Sequence, residues 1–304
     1  MIYEYALEPE MVAAWCDRHN HRFFIREFDL GQGRVVSRYP KTWAKKVWDS
    51  FDGTSQVDRK RLEELLVRLK ETMVKRRDYV WDDALESWLE NALQEHARHP
   101  FYTIMARTNP EEQQDILTET DLAGEDIAKW DVHHGITVNR KAPDMAAAIK
   151  MMLGRCRWVK FIDPYLSQCK SGHKRSLTAF MDILKAEKPV GPPGKIEIHT
   201  NGDGATIDYL KNFYEKIIPD GIQVTIYQWR EKPAGQRLHN RYILTDLGGV
   251  SFHHGLDTGA DGETDDITRL DREQYELRCK QYDSAAPAFD YAEDPLEISG
   301  TFGE

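Results

Sequence analysis

The residues best suited to chemistry are His239, Arg241 and Asp246, in the run RLHNRYILTDLGGVSFHHGLD. A histidine and an arginine two positions apart on a strand point the same way. They are neighbours on one face and can converge on one phosphate. Tyr242 and Leu244 then face the opposite side, and Asp246 comes at the strand end, before a turn at Gly248. A His-x-Arg pair with an aspartate five residues later also arises by chance, so its placement matters: it falls on an apolar strand that follows strand–helix units and precedes a Gly-rich turn.

Other residues gather around this motif. Asp163 and Tyr165 end the strand RWVKFI, where ligands collect in open α/β sheets; the plainer reading is a turn set by Pro164. Asp257 follows Gly255 beyond the second hairpin strand, and either bonds the site or caps a turn. His253 and His254 are neighbours on a strand, so at most one faces the site, and one buried and one exposed ring is the favoured arrangement; His254 is taken as the substrate-side residue. His173, with Lys170, Lys174 and Arg175, sits in the polar stretch SQCKSGHKRS and suits a nucleic-acid backbone, although a solvated loop is the simpler account. His199 lies near the end of a central strand, and His133 and His134 read as a solvated pair in a linker.

The chain has 304 residues and a formal charge of −10. An acidic chain does not bind polyanions through net charge, so any nucleic-acid contact must use a local basic patch or a partner. Four scattered cysteines without CxxC spacing argue against a disulfide framework or a cysteine-rich zinc site. No apolar run reaches membrane-spanning length, and MIYEYALEPEMVAAW lacks the basic start of a secretory signal, so a cytoplasmic protein without membrane contact is expected.

These residues are positioned by the second half of the chain. From Pro143 helices and strands alternate: a helix over 145–153, strand 157–162, helix 177–185, strand 195–200, helix 206–218, strand 222–229, then strands over 238–244 and 249–254 and a further strand over 274–282. That order predicts helices covering a mixed sheet. Residues 1–140 read as a mainly helical domain with helices near 9–19, 40–51, 57–74, 81–96 and 111–118 and a turn or short hairpin in 23–39. Its basic clusters Lys45-Lys46, Arg59-Lys60-Arg61 and Lys75-Arg76-Arg77, near Trp43, Trp48 and Tyr79, suit a phosphate or a protein partner, but charge clusters on helices are usually solvated faces. Residues 293–304 read as an acidic, mobile tail.

The motif, together with the strand RWVKFIDPYL and the glycine of Gly255-Leu256-Asp257, resembles the phospholipase D superfamily over residues 141–292, with arginine where that family carries lysine. The resemblance implies an α/β sandwich and a metal-independent phosphodiesterase without cofactor. A histidine nucleophile, His239, would form a phosphohistidine that water cleaves, a second histidine would protonate the leaving oxygen, and Asp246 would anchor the strand or orient a histidine. Family sites usually combine two copies of the motif, and a chain with one copy can complete the site by homodimerisation, each subunit giving one histidine, so a homodimer through this domain is expected. Bacterial ones are often nucleases, including restriction and phage-defence effectors, so DNA or RNA is the implied substrate. The alternative is a non-catalytic subunit of a larger defence or nucleic-acid-binding complex, with the first domain docking a protein partner.

Overall fold

The computed structural model describes residues 1–53, 55–124 and 127–301. The chain divides into two compact units. One comprises residues 2–133 and 188–191, the other Met1, 134–187 and 192–304. Among the described residues no helix is long and apolar enough to cross a membrane.

The N-terminal unit is α/β, not mainly helical. Strands β1 (Tyr3–Leu7), β2 (Arg34–Ser37), β3 (Met73–Val74), β4 (Thr103–Met105) and β5 (Ile116–Leu117) form a parallel sheet in the order β3-β2-β1-β4-β5. Helices α1 (Pro9–Ala14), α2 (Arg18–Glu27), α3 (Trp43–Asp49), α4 (Gln56–Glu71) and α5 (Trp88–Arg98) connect them. The segment 23–39 is thus the end of a helix and a strand, not a hairpin; 81–87 is a loop that ends in the Ser87/Glu90 capping box of α5; and 111–118 holds β5 rather than a helix. The expected helix over 57–74 is α4, whose Leu62, Leu65, Leu66 and Leu69 are buried on one stripe.

Arg76 corrects the reading of its basic cluster. It is 1% exposed. Its Nε and one terminal nitrogen donate to both oxygens of Glu4 at 2.8 Å, and the other terminal nitrogen donates to Glu95 at 2.5 Å and to the His99 carbonyl at 2.8 Å. A guanidinium so enclosed is part of the core and is not available to a ligand. Trp43 is likewise structural, buried with its indole N–H donating to the Leu7 carbonyl.

The C-terminal unit carries a mixed sheet of β6 (Gly135–Asn139), β7 (Trp158–Ile162), β8 (Lys195–Asn201), β9 (Gln223–Arg230), β10 (Tyr242–Thr245), β11 (Gly248–Phe252), β12 (Thr264–Arg269), β13 (Asp290–Tyr291) and β14 (Leu296–Ser299). The order is β13-β9-β8-β7-β10-β11-β12-β6, with β14 also pairing β9. β7, β8 and β9 are parallel; β10 runs antiparallel to β7 and opens the antiparallel half. The boundary falls at 133/134, a few residues before the expected one, because β6 pairs with β12. Helices α6 (Ala142–Arg155), α7 (Ser171–Lys185), α8 (Ile207–Glu215) and α9 (Arg272–Gln281) complete the unit.

Two expectations fail here. Residues 274–282 form α9, opened by a reciprocal Asp271/Gln274 capping box, rather than a strand. The expected tail contains β14, whose Ile298 is 1% exposed; alternation of Leu296 and Ile298 lets this short run add to β9. Residues 302–304 lie outside the described ones.

The two faces of this sheet differ. Val159, Phe161, Ile196, Ile198, Ile243, Val250 and Phe252 are buried on one face, where Phe180 of α7 stacks on Phe161 at 5.8 Å. Register places Lys160, Glu197, His199, Tyr227 and Trp229 on the other. There Glu197 meets Lys195 at 2.7 Å, Lys160 at 3.1 Å and His199 Nε2 at 3.4 Å, while the Trp229 indole donates to His199 Nδ1 at 3.0 Å. Tyr282 and Phe289 cover this layer. Burial pushes the His199 imidazole down from 6.5 to about 4.

Two predictions follow from this frame. Folded His199 stays neutral down to about pH 4, whereas the unfolded ring takes a proton near 6.5. Its contribution is therefore complete above pH 6.5, is lost as pH falls toward 4, and is constant below. Urea midpoints across that window should fall with pH, and His199→Gln should flatten the slope; an unchanged slope refutes the assignment. The second concerns Asp246, which accepts from the backbone N–H and the Nε of Arg157, both at 2.7 Å, and so ties the end of β10 to the start of β7. Asp246→Ala should cost about 0.5–1.5 kcal/mol in denaturant melts, the net worth of the lost hydrogen bonds, because water reaches the freed donors of exposed Arg157.

Candidate functional site

The ladder of β10 is short. Tyr242 pairs with Ile162 and Ser251, and Thr245 with Val159 and Gly248. His239 therefore lies on the run before the strand and is exposed. Arg241 is the last residue before β10; its carbonyl still accepts from the Phe252 N–H at 3.1 Å, which holds the side chain at the end of the sheet. The expected strand over 238–244 is shorter because its first part is a loop closed by Glu231, which accepts from the Leu238 N–H at 2.8 Å and pairs with Arg237 at 3.5 Å.

His239 and Arg241 nevertheless line one groove of about 570 Å³. Its floor is the polar side of β10, β11 and β12, with Tyr242, Ser251 and Thr268. His253, His134, Arg269 and Arg278 also line it, against a single carboxylate, Asp266. Arg278 lies over the Tyr242 ring at 5.2 Å. Three arginines around one aspartate make a local cationic patch on an acidic chain, with three histidines among them.

Arg241 also lines a second, smaller cleft of about 260 Å³. All four substrate-side residues expected from sequence, Asp163, Tyr165, His254 and Asp257, meet there. The Arg241 guanidinium lies 5.2 Å over the Tyr165 ring and donates to the His253 carbonyl at 3.5 Å. Asp163, 1% exposed, accepts from the N–H of Tyr165 and of Leu256, both at 2.9 Å. Gly255 has φ +132°, and a Cβ there would stand 3.0 Å from Asp163 Oδ2 and 3.7 Å from Arg241 Nε. The positive φ and the close approach to Asp163 favour glycine here, while Arg241 lies at ordinary contact distance.

His253 and His254 separate as strand alternation demands, His253 into the groove and His254 into the cleft. Both are exposed, so the expectation of one buried ring does not hold. Asp246 lines neither space and sits at the opposite end of β10, bound to Arg157. It acts as an anchor and does not touch the site. His199 is buried in the sheet's polar layer, away from both spaces.

Sequence reasoning missed Arg140 and undervalued His173. Arg140 donates at 2.8 Å to Asp257 and at 2.8 Å to Glu263, bracing the loop that carries Asp257. His173 is 1% exposed in the first turn of α7, with Nε2 3.8 Å from Asp163. The signal was present: His173, Leu177, Phe180 and Leu184 recur at helical spacing, so the histidine stands on the buried stripe. Arg175 bonds Thr258 Oγ1 at 2.6 Å and Ser176 Oγ bonds the Leu256 carbonyl, so neither is free in a solvated loop. His134 lines the groove rather than a linker.

No family model, no curated protein and no solved structure matches the chain.

Proposed function

We propose that the C-terminal unit is a phosphodiesterase of the phospholipase D type, acting on a DNA or RNA strand. The observation that carries this reading is the shared groove: His239, Arg241 and His253 line it together, with further arginines and one aspartate. A nucleophile, a cation and an acid are the parts that two-step phosphoryl transfer needs. One ring nitrogen of His239 attacks phosphorus while the bond to the leaving oxygen breaks. His253 gives its proton to that oxygen. Water then attacks the phosphohistidine, His253 takes the water's proton, and His239 is released. Arg241 holds the phosphoryl oxygens throughout, its fork replacing the ammonium of the family motif. A strand's backbone charges suit the patch despite the acidic chain. His253 supplies the acid within one chain, so a second subunit is not required by this chemistry.

The second reading is a non-catalytic subunit that binds nucleic acid through the same groove. One observation favours it: His239 is exposed on the run before β10, where attack needs a ring held in line.

The test is cleavage of a labelled single strand by the full chain in EDTA. His239→Ala should abolish cleavage and retain binding. Arg241→Ala should lower kcat/KM by about a hundredfold or more, and Arg241→Lys should keep part of the rate. Mixtures of wild type with His239→Ala should lose activity in proportion to the mutant fraction; a steeper fall places the acid in a second subunit. Strand binding without cleavage by wild type, unaffected by His239→Ala, selects the non-catalytic reading.

A further inference from the structure

We propose that the small cleft is a subsite for a terminal phosphate, a phosphomonoester at the end of the strand whose diester occupies the groove; this rests on the proposed function. The two spaces share Arg241 and differ in size, about 260 Å³ against about 570 Å³. A diester must leave the site in two directions, whereas a monoester needs only one exit and presents three terminal oxygens.

The cleft is built for such a group. Its inner side is formed by His173 and Asp163, each 1% exposed, and by the loop at Gly255. Three buried nitrogens of its lining residues make no hydrogen bond among the described residues: His173 Nδ1, Arg241 Nε and Arg140 Nε. Unpaired buried donors or acceptors cost free energy, so a polar ligand that reaches them is favoured. The outer side carries Gln168 and Lys170, both exposed. Lys170 is also the N-cap of α7, a helix of 15 residues whose N-terminus has no side-chain cap. Its first-turn N–H groups and dipole therefore add positive potential on that side.

The carboxylates do not cancel this. Asp257 is paired with Arg140 at 2.8 Å, and Asp163 is satisfied by two backbone N–H groups with His173 beside it. Lys170 and Arg241 then remain for the ligand. A monoester carries about −1.5 to −2 charges at pH 7, where a diester carries one, which favours the terminal group at this cationic rim. Gly172 fixes the arrangement: a Cβ there would stand 3.1 Å from the Thr258 carbonyl and 3.2 Å from Asp257 Cβ, so the helix start and the loop after Gly255 are in close contact.

The experiment compares short single strands of one sequence ending in a 5′-phosphate, a 3′-phosphate or hydroxyls at both ends, bound by the full-length protein and by His239→Ala. One phosphorylated end should lower Kd about tenfold, the scale of one added charge-assisted contact. Lys170→Ala should remove most of that advantage and Lys170→Glu all of it, with the affinity and cleavage of the hydroxyl-ended strand unchanged. Inorganic phosphate should compete with the phosphorylated strand only. Equal affinity for all three strands, or an advantage that survives both Lys170 substitutions, overturns the subsite. A hydroxyl-ended strand that binds and is cut without end discrimination sinks this inference alone. Loss of cutting with the end preference intact sinks only the catalytic reading.

Discussion

The carboxylate of Asp163 is the constraint on which the site depends. It is buried at the end of β7, and a buried charge persists only if its acceptor positions are filled. Tyr165 and Leu256 fill them with backbone N–H groups, and His173 stands behind. One side chain thereby links the end of a parallel strand, the loop after an antiparallel hairpin and the first turn of a helix. Gly255 is the geometric condition for that link, since its φ of +132° strains any other residue and a Cβ there would crowd Asp163 Oδ2 at 3.0 Å. Arg241 bonds the His253 carbonyl in the same loop that is tied to Asp163 through the Leu256 N–H.

Each unit also buries charge away from the clefts. In the N-terminal unit Arg76 lies between Glu4 and Glu95, and in the other Glu197 lies among Lys160, Lys195 and His199. Burial alone would raise the Glu197 carboxyl, but the hydrogen bonds and charges of His199, Lys195 and Lys160 bring it well below the usual carboxylate range. Such groups add little net stability over apolar residues of the same shape, but they penalise every arrangement that leaves one of them unpaired. Strands of near-identical apolar pattern, such as those over 158–162 and 195–201, acquire a preferred partner and register this way.

The C-terminal half was readable because its signals are long and local. Strands of five to eight residues alternate with helices of nine to fifteen, and Asp163, Tyr165, His254 and Asp257 gather with Arg241 because chain turns at strand ends place them there. The N-terminal sheet was hidden because β3, β4 and β5 have two or three residues each, too few for a period to register. α9 misled in the opposite sense: Tyr275, Leu277 and Cys279 alternate as in a strand, yet the capping box at Asp271 and Gln274 decides the conformation. His173 was misplaced because its polar neighbours outweighed its helical phase with Leu177 and Phe180. Asp246 was grouped with His239 and Arg241 for its spacing, as an anchor or the orienter of a histidine; five residues of extended chain instead carry it to the far end of β10, where it binds Arg157 and lines neither space.

The pairing of β6 with β12 has a consequence for the order of folding. Thr137 lies opposite Asp266, and Arg140 bonds Glu263, so the first strand of the C-terminal unit finds its neighbour only after most of the chain has left the ribosome. The N-terminal unit waits too, though less: the N–H groups of Arg77 and Asp78 bond the carbonyl of Pro189. Contacts of such long sequence separation close slowly. During synthesis β7 and β8 can form their parallel pair early, while Arg241 and Gly255 are still unmade. A truncation before β12 would therefore keep the parallel half of the sheet and expose an apolar strand edge, a form prone to self-association rather than a smaller working protein.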